Sequence, residues 1–230
     1  MVKERFSGLA ELYAGLGKLC NKVSRAQVIV FIIVAMSLQN RIINHFSNSI
    51  QTQQDTLSNL SELIEFASQR LVATLLNDKK IITCGNGRSA AVAQLLSSSM
   101  LNQYQRDRPS LPAIALTTDT ATITAIASDY HFDDIFAKQL RALGQSGDIL
   151  VAYTDGNNSA NIAKAIATAH DKDIGIIALT GNNGGMIGPL LHETDIEIRV
   201  PSSSGSHIQE VHVVVTHCLC DLIDHQLFGG

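Results

Sequence analysis

No Cys-x-x-Cys pair occurs in this chain. Cys20 and Cys84 stand alone, and a single residue separates Cys218 from Cys220. Zinc-ribbon spacing and a disulfide framework are thereby excluded, which leaves reduced cysteines in a cytoplasmic setting, each expected as a small core side chain. An excess of basic charge is also missing. The net charge is −4 and the isoelectric point about 6.0, so the chain lacks the basic balance with which direct nucleic-acid binding displaces counterions. Long apolar runs are absent too. The run Val28–Met36 falls far short of the ~20 residues that span a bilayer, so no membrane segment is expected. Lys18, Lys22 and Arg25 precede it as they would a signal-peptide core, yet no small-x-small cleavage site follows. Residues 1–36 are set apart as a leader of undecided status, with Met36 as an alternative start.

What is present is a globular composition. Hydrophobic residues make up 45% and charged residues 17% of the 230, enough to bury a large core in one α/β domain with helical additions. From Ser37 to Leu76 apolar residues recur at three- and four-residue steps: Ile42, Phe46 and Ile50, then Leu57, Leu60 and Ile64. The spacing predicts helices. Asn59 followed by Glu62 has capping-box spacing and predicts a joint near Thr56–Asn59.

Beyond that, short apolar runs alternate with helical patterns. Strands are predicted at Lys80–Cys84, Ala113–Leu116, Ile149–Tyr153, Ile174–Leu179 and Ile196–Val200, and a long helix at Gln209–Phe228. Near-continuous apolar strands alternating with helices indicate a parallel sheet covered on both faces. The expected fold is therefore α/β, a three-layer α/β/α sandwich with a doubly wound five-stranded parallel sheet and an N-terminal helical extension. The division is 1–36 leader, 37–76 helices and 77–230 α/β domain. Ligands of such folds bind at the carboxyl ends of the strands.

The first such loop reads Gly85-Asn86-Gly87-Arg88-Ser89. Its glycines let the backbone turn its N–H groups outward, and Ser89 adds a hydroxyl at a helix N-terminus, where an anion is favoured. A purely structural βα turn needs the same glycines. The loop after the third strand, Thr154 to Ser159, offers hydroxyls of its own, but Asp155 repels a dianion; the other reading is a turn with Asn158 or Ser159 as helix N-cap. Asp129 is a better site candidate than Asp133 and Asp134, which read as first-turn helix acids. The last helix carries His212, His217 and His225 without the four-residue spacing that puts two ligands on one face. No metal is expected from these alone, although Gln209 and His217, roughly 80° apart around a helix, can face one cleft.

These segments together resemble a known family. CGNGRS, RPSLPAIAL, ASDYHFDDIF, GNNSANIAKAI, IALTGNNGG, DIEIRVPS and IQEVH occur in order between Ser37 and Phe228 and are similar to the sugar-isomerase (SIS) domain family. Two branches matter. In the phosphoheptose isomerases the resemblance implies zinc ligands at four positions, which here are Leu95, Ser99, Gln209 and His217. Only the last two keep the ligand type, so no cofactor is expected, and zinc belongs to the isomerase alternative alone. Ser89 and Asp129 match site positions of the family, and Thr154 and Ser159 keep its phosphate-loop hydroxyls, while Asn157 stands where the family has glycine. The implied residual sugar-phosphate site is Asn86, Gly87, Ser89, Asp129, Thr154, Ser159 and Gln209.

The C-terminal sequence CLCDLID ending in Gln226-Leu227-Phe228 resembles the other branch, the DnaA initiator-associating (DiaA) proteins. That resemblance implies a non-catalytic regulator of replication initiation. It would bind the initiator DnaA as a homotetramer and promote its assembly at the origin. The N-terminal helices and last helix would form subunit interfaces, and Leu227 and Phe228 are the candidate partner contacts. The alternatives are a sedoheptulose 7-phosphate isomerase of lipopolysaccharide-core heptose synthesis, or a sugar-phosphate sensor.

Overall fold

The computed structural model describes the backbone of residues 25–156 and 159–229, with side chains from residue 37 onward. The leader's first 24 residues, Cys20 among them, and the Asn157 substitution lie outside the described residues.

A helix, α1 (Arg25–Leu76), leads into β1 (Ile81–Gly85), α2 (Arg88–Leu101), β2 (Ala113–Ala115), α3 (Thr120–Asp129) and α4 (Ile135–Leu143). Then come β3 (Ile149–Tyr153), α5 (Ala160–Asp171), β4 (Gly175–Gly181), β5 (Ile196–Val200) and α6 (Gly205–Phe228). The expected joint near Thr56–Asn59 is absent. Thr56 Oγ1 donates to the Thr52 carbonyl and Asn59 Nδ2 to the Asp55 carbonyl. Both side chains bond back into the preceding turn instead of capping a new helix, so the helix continues.

The chain divides within α1 into two compact units, residues up to Asn48 and Ser49–Gly230. In the first, Leu38, Ile42 and Phe46 stand exposed at four-residue steps. In the second, Leu60, Leu63, Ile64, Ala67, Leu71 and Val72 of α1 pack into the α/β core. That half of α1 is therefore a layer of the sandwich, which the expected boundary at residue 77 did not anticipate.

All five strands are parallel, in the order β2-β1-β3-β4-β5. Successive side chains point to opposite faces, and the core divides accordingly. Ile81, Val151, Tyr153, Ile177 and Leu179 face α1, α2 and α6. Ile82, Cys84, Leu150, Ala152 and Ala178 face α4 and α5. Cys84 and Cys220 are buried as expected, but Cys218 is exposed because it points off the outer face of α6. Among the described residues no helix is long and apolar enough to cross a membrane.

The strand order places a topological switch between β1 and β3, whose chains leave the sheet toward opposite sides. A crevice opens there at the carboxyl ends of the strands. Gly85 and Tyr153, the last residues of these strands, are register partners, so the loops that follow them start side by side.

Candidate functional site

The switch-point crevice holds a cavity of about 50 Å³ lined by Asn86, Arg88, Ser89, Tyr153, Thr154, Asp155 and Ser159. A single water needs about 10–15 Å³ on this measure, so the space suits a phosphoryl-sized group with the rest of a ligand reaching outward. Three helices begin around it. α2 starts at Arg88 and α5 at Ala160. α6 starts at Gly205, so close that a Cβ there would lie 2.9 Å from Arg88 Nη2 and 3.1 Å from Asp155 Oδ2. Each helix N-terminus adds partial positive charge.

Local chemistry fixes the loop. Gly87 has φ 55°, the left-handed region that glycine reaches without strain. Gly85 lets α2 close on the strand, since a Cβ there would sit 2.6 Å from the Ser89 carbonyl oxygen. Asn86 and Asn161 exchange two side-chain hydrogen bonds of 2.8 Å, which tie the β1 loop to the first turn of α5. Thr154 Oγ1 and Ser159 Oγ lie 3.3 Å apart, and Gly156 N–H donates to Thr154 Oγ1. Ser159 holds the N-cap position of α5, but its side chain makes no capping bond. The hydroxyl is turned into the cavity lining instead.

Charge at the cavity is balanced. Arg88 Nη2 lies 3.5 Å from Asp155 Oδ2, which offsets the carboxylate that sequence reading set against an anion. Beneath, Thr216 Oγ1 donates to the His212 carbonyl, so the Tyr153 hydroxyl, 3.0 Å away, donates to Thr216. Burial raises the Tyr153 pKa. His212 Nε2 lies 3.1 Å from the Thr180 carbonyl oxygen, which can only accept, so Nε2 carries the proton. Burial lowers the His212 pKa to about 4, against weaker upward pulls from Thr180 and Asp155. Its imidazole is neutral near pH 7.

Of the residues expected to bind a sugar phosphate, the fold brings Asn86, Ser89, Thr154 and Ser159 to one cavity. Gly87 shapes the loop without lining it. Asp129 is the exposed last residue of α3. Gln209 lies half-buried on α6, outside the lining. Leu227 packs partly against the core, and the Phe228 ring lies 6.0 Å from the Arg106 guanidinium carbon. Reading the sequence missed two members. Arg88 looked like one more loop residue, and Asn161 like a helix position. An amide at the second position of the helix after a hydroxyl-rich loop is the local signal that could have flagged Asn161.

The zinc set implied by the isomerase resemblance does not fit these residues. Leu95 has no donor atom. Ser99 is buried, and its hydroxyl bonds Cys220, whose thiol is pushed up to about 12 chiefly by burial. The His217 ring packs near Tyr104, with centroids 5.7 Å apart. Two side chains, Gln209 and His217, do not make the three protein ligands of a catalytic zinc.

Comparison with known proteins places this geometry in context. The SIS domain model matches residues 44–181. The phosphoheptose isomerase of Methylococcus capsulatus is 55% identical over 194 residues, covering 84% of this chain and 100% of that protein. Its counterpart in Chromohalobacter salexigens is 55% identical over 195 residues, covering 85% and 99%. Among solved structures, a phosphoheptose isomerase from Francisella tularensis aligns with a TM-score of 0.79 at 45% identity, covering 81% of this chain and 98% of that one.

These relatives overturn two expectations, the non-catalytic DnaA-binding regulator and the assignment as no enzyme. Both rested on two substitutions in α2 and a short C-terminal stretch. The identity to proteins named for an isomerase runs the full length of their chains and outweighs those local signals.

Proposed function

This chain belongs to the SIS domain family, and from that premise we propose that it is a phosphoheptose isomerase, interconverting sedoheptulose 7-phosphate and an aldoheptose 7-phosphate. The observation that carries the reading is 55% identity along the whole length of relatives bearing that name. The cavity supports it. In this reading Ser89, Thr154 and Ser159 hydroxyls and the helix N-termini hold the phosphate, and Asn86 with Asn161 keeps the loop closed.

Isomerisation takes a proton from C1 and returns one to C2, so a group able to accept and give back a proton must sit near those carbons. C2 and C1 lie ~6 and ~7.5 Å from C7 along an extended chain of ~1.5 Å bonds. Residues 207–210 of α6 lie within a helical rise of ~7.5 Å of Gly205. There a His207 ring nitrogen and a Glu210 carboxylate oxygen lie within 4.8 Å of each other, and Glu210 Oε2 accepts from Ser49 Oγ at 2.5 Å. In this reading they are the proton-moving pair, and no step is routed through zinc. The reading includes a cytoplasmic homotetramer with α1 at its interfaces, supported by the exposed Leu38, Ile42 and Phe46.

The test is conversion of sedoheptulose 7-phosphate followed by NMR, with and without added zinc. Turnover without zinc that is lost in Glu210→Gln is the expected result. Absence of turnover by folded protein under both conditions would overturn the isomerase reading, even if the sugar phosphate binds.

A further inference from the structure

At the opposite end of the sheet, a larger cavity of about 470 Å³ opens where β3 and β4 begin, lined by His170, His192 and Asp195 among others. His170 lies in the last turn of α5. His192 and Asp195 lie in the connection that leads into β5. One potential ligand atom from each of the three lies within 4.8 Å of the others. We propose that these residues form a binding site for a divalent transition metal, separate from the phosphate cavity.

The donor set determines the class of metal. Two imidazoles and one carboxylate suit zinc, cobalt, nickel or copper, whereas magnesium and calcium take oxygen ligands. The site is partly built. Asp195 is nearly buried, its side chain 4% exposed. One of its oxygens, Oδ2, lies 2.7 Å from His170 Nε2 and accepts the His192 backbone N–H at 2.8 Å. This fixes two of the three ligands relative to each other.

His192 is the moving part. It is exposed, and its ring stacks on that of His170 with centroids 3.7 Å apart and planes 12° apart. Parallel rings cannot both aim their nitrogen lone pairs at one ion, so ligation turns the His192 ring about its side-chain bonds. Tetrahedral bonds of ~2.0 Å place ligand atoms ~3.3 Å apart, so the His170–Asp195 pair, 2.7 Å apart, opens by about 0.6 Å as the metal replaces the proton between them, and the His192 ligand atom moves in by no more than roughly 1.5 Å. The fourth position then faces the cavity and takes water. Bound metal would clip the end of α5 to the β4–β5 connection. Neither residue of the proton-moving pair takes part, so the site stands independently of the isomerase reading.

The experiment titrates tag-free, chelator-stripped full-length protein with cobalt(II), following visible absorption, and with zinc by calorimetry. One cobalt per chain with tetrahedral d–d bands is expected. His192→Ala and His192→Gln should each weaken it by at least about tenfold, with circular dichroism unchanged. Gln209→Ala should leave it unaltered. Absence of binding below millimolar metal would overturn the proposal. So would unchanged affinity in both His192 variants, which would place any bound ion elsewhere.

Discussion

The Arg88 guanidinium lies 3.5 Å from the Asp155 carboxylate, across the mouth of the phosphate cavity. Both side chains contact solvent, with Arg88 56% and Asp155 24% exposed. The pair therefore contributes little to stability, about 0–1 kcal/mol, and matters through the charge it presents to a ligand. Asp155→Asn leaves Arg88 unpaired and should tighten binding of inorganic phosphate by about tenfold, or ~1.4 kcal/mol. Arg88→Ala removes a positive charge from the mouth of the cavity and should weaken it by a similar factor. Calorimetry at low and moderate salt checks both signs, and the difference should shrink as salt rises.

Gly85→Ala tests the close approach of α2 to β1. The added methyl would sit 2.6 Å from the Ser89 backbone carbonyl, which cannot swing aside as a side chain would. The first turn of α2 must shift, so phosphate affinity should fall by more than tenfold, and overpacking should cost about 1–3 kcal/mol. Phosphate titration beside urea unfolding measures the two effects.

Arg108 secures the far end of α2. Its Nε donates to Asp224 Oδ1 at 2.9 Å, and its Nη1 and Nη2 donate to the Met100 and Ser99 carbonyls. The guanidinium thus takes up orphan helix-end carbonyls and the buried α6 carboxylate together. Asp224 Oδ2 already lacks a partner. Arg108→Ala would leave the whole carboxylate buried and unpaired and should cost about 3–5 kcal/mol in denaturant unfolding. Adding Asp224→Leu should recover part of that loss.

His212 makes stability depend on pH. Its folded pKa is lowered to about 4 from 6.5. Between those values the unfolded chain binds a proton that the folded chain does not, so stability falls as pH drops through the window. The full effect is about 3 kcal/mol. Melting temperature measured from pH 7 to 4 should decline, and less steeply in His212→Gln, which keeps an N–H donor for Thr180 without titrating.

Much of the architecture was legible because it follows from local periodicity. Ile149–Tyr153, an apolar run, and Ile196–Val200, whose apolar residues alternate with Glu197 and Arg199, are strands at the expected positions, since five residues of either pattern between turn residues have few other ways to bury themselves. The reading failed at Asn59, where a capping pattern lay inside a helix. A side chain that can cap can equally bond back to its own helix, and packing along α1 decides between the two. It also overweighted Leu95 and Ser99, because lost ligand types are visible one residue at a time, whereas similarity to an enzyme family is spread along the whole chain.

The sequence by itself determined the alternation of strands and helices, the glycine turn after β1 and the hydroxyls beside it, because each depends on neighbours a few residues away. Only the tertiary structure decided what those groups meet. Asn86 finds Asn161 across 75 residues and Arg108 finds Asp224 across 116; Arg88 finds Asp155, and His170 finds Asp195. Such pairings depend on strand order and on helices closing over the sheet. No spacing along the chain encodes them, so the loop's electrostatic balance and the histidine cluster at the other end became visible only in the fold.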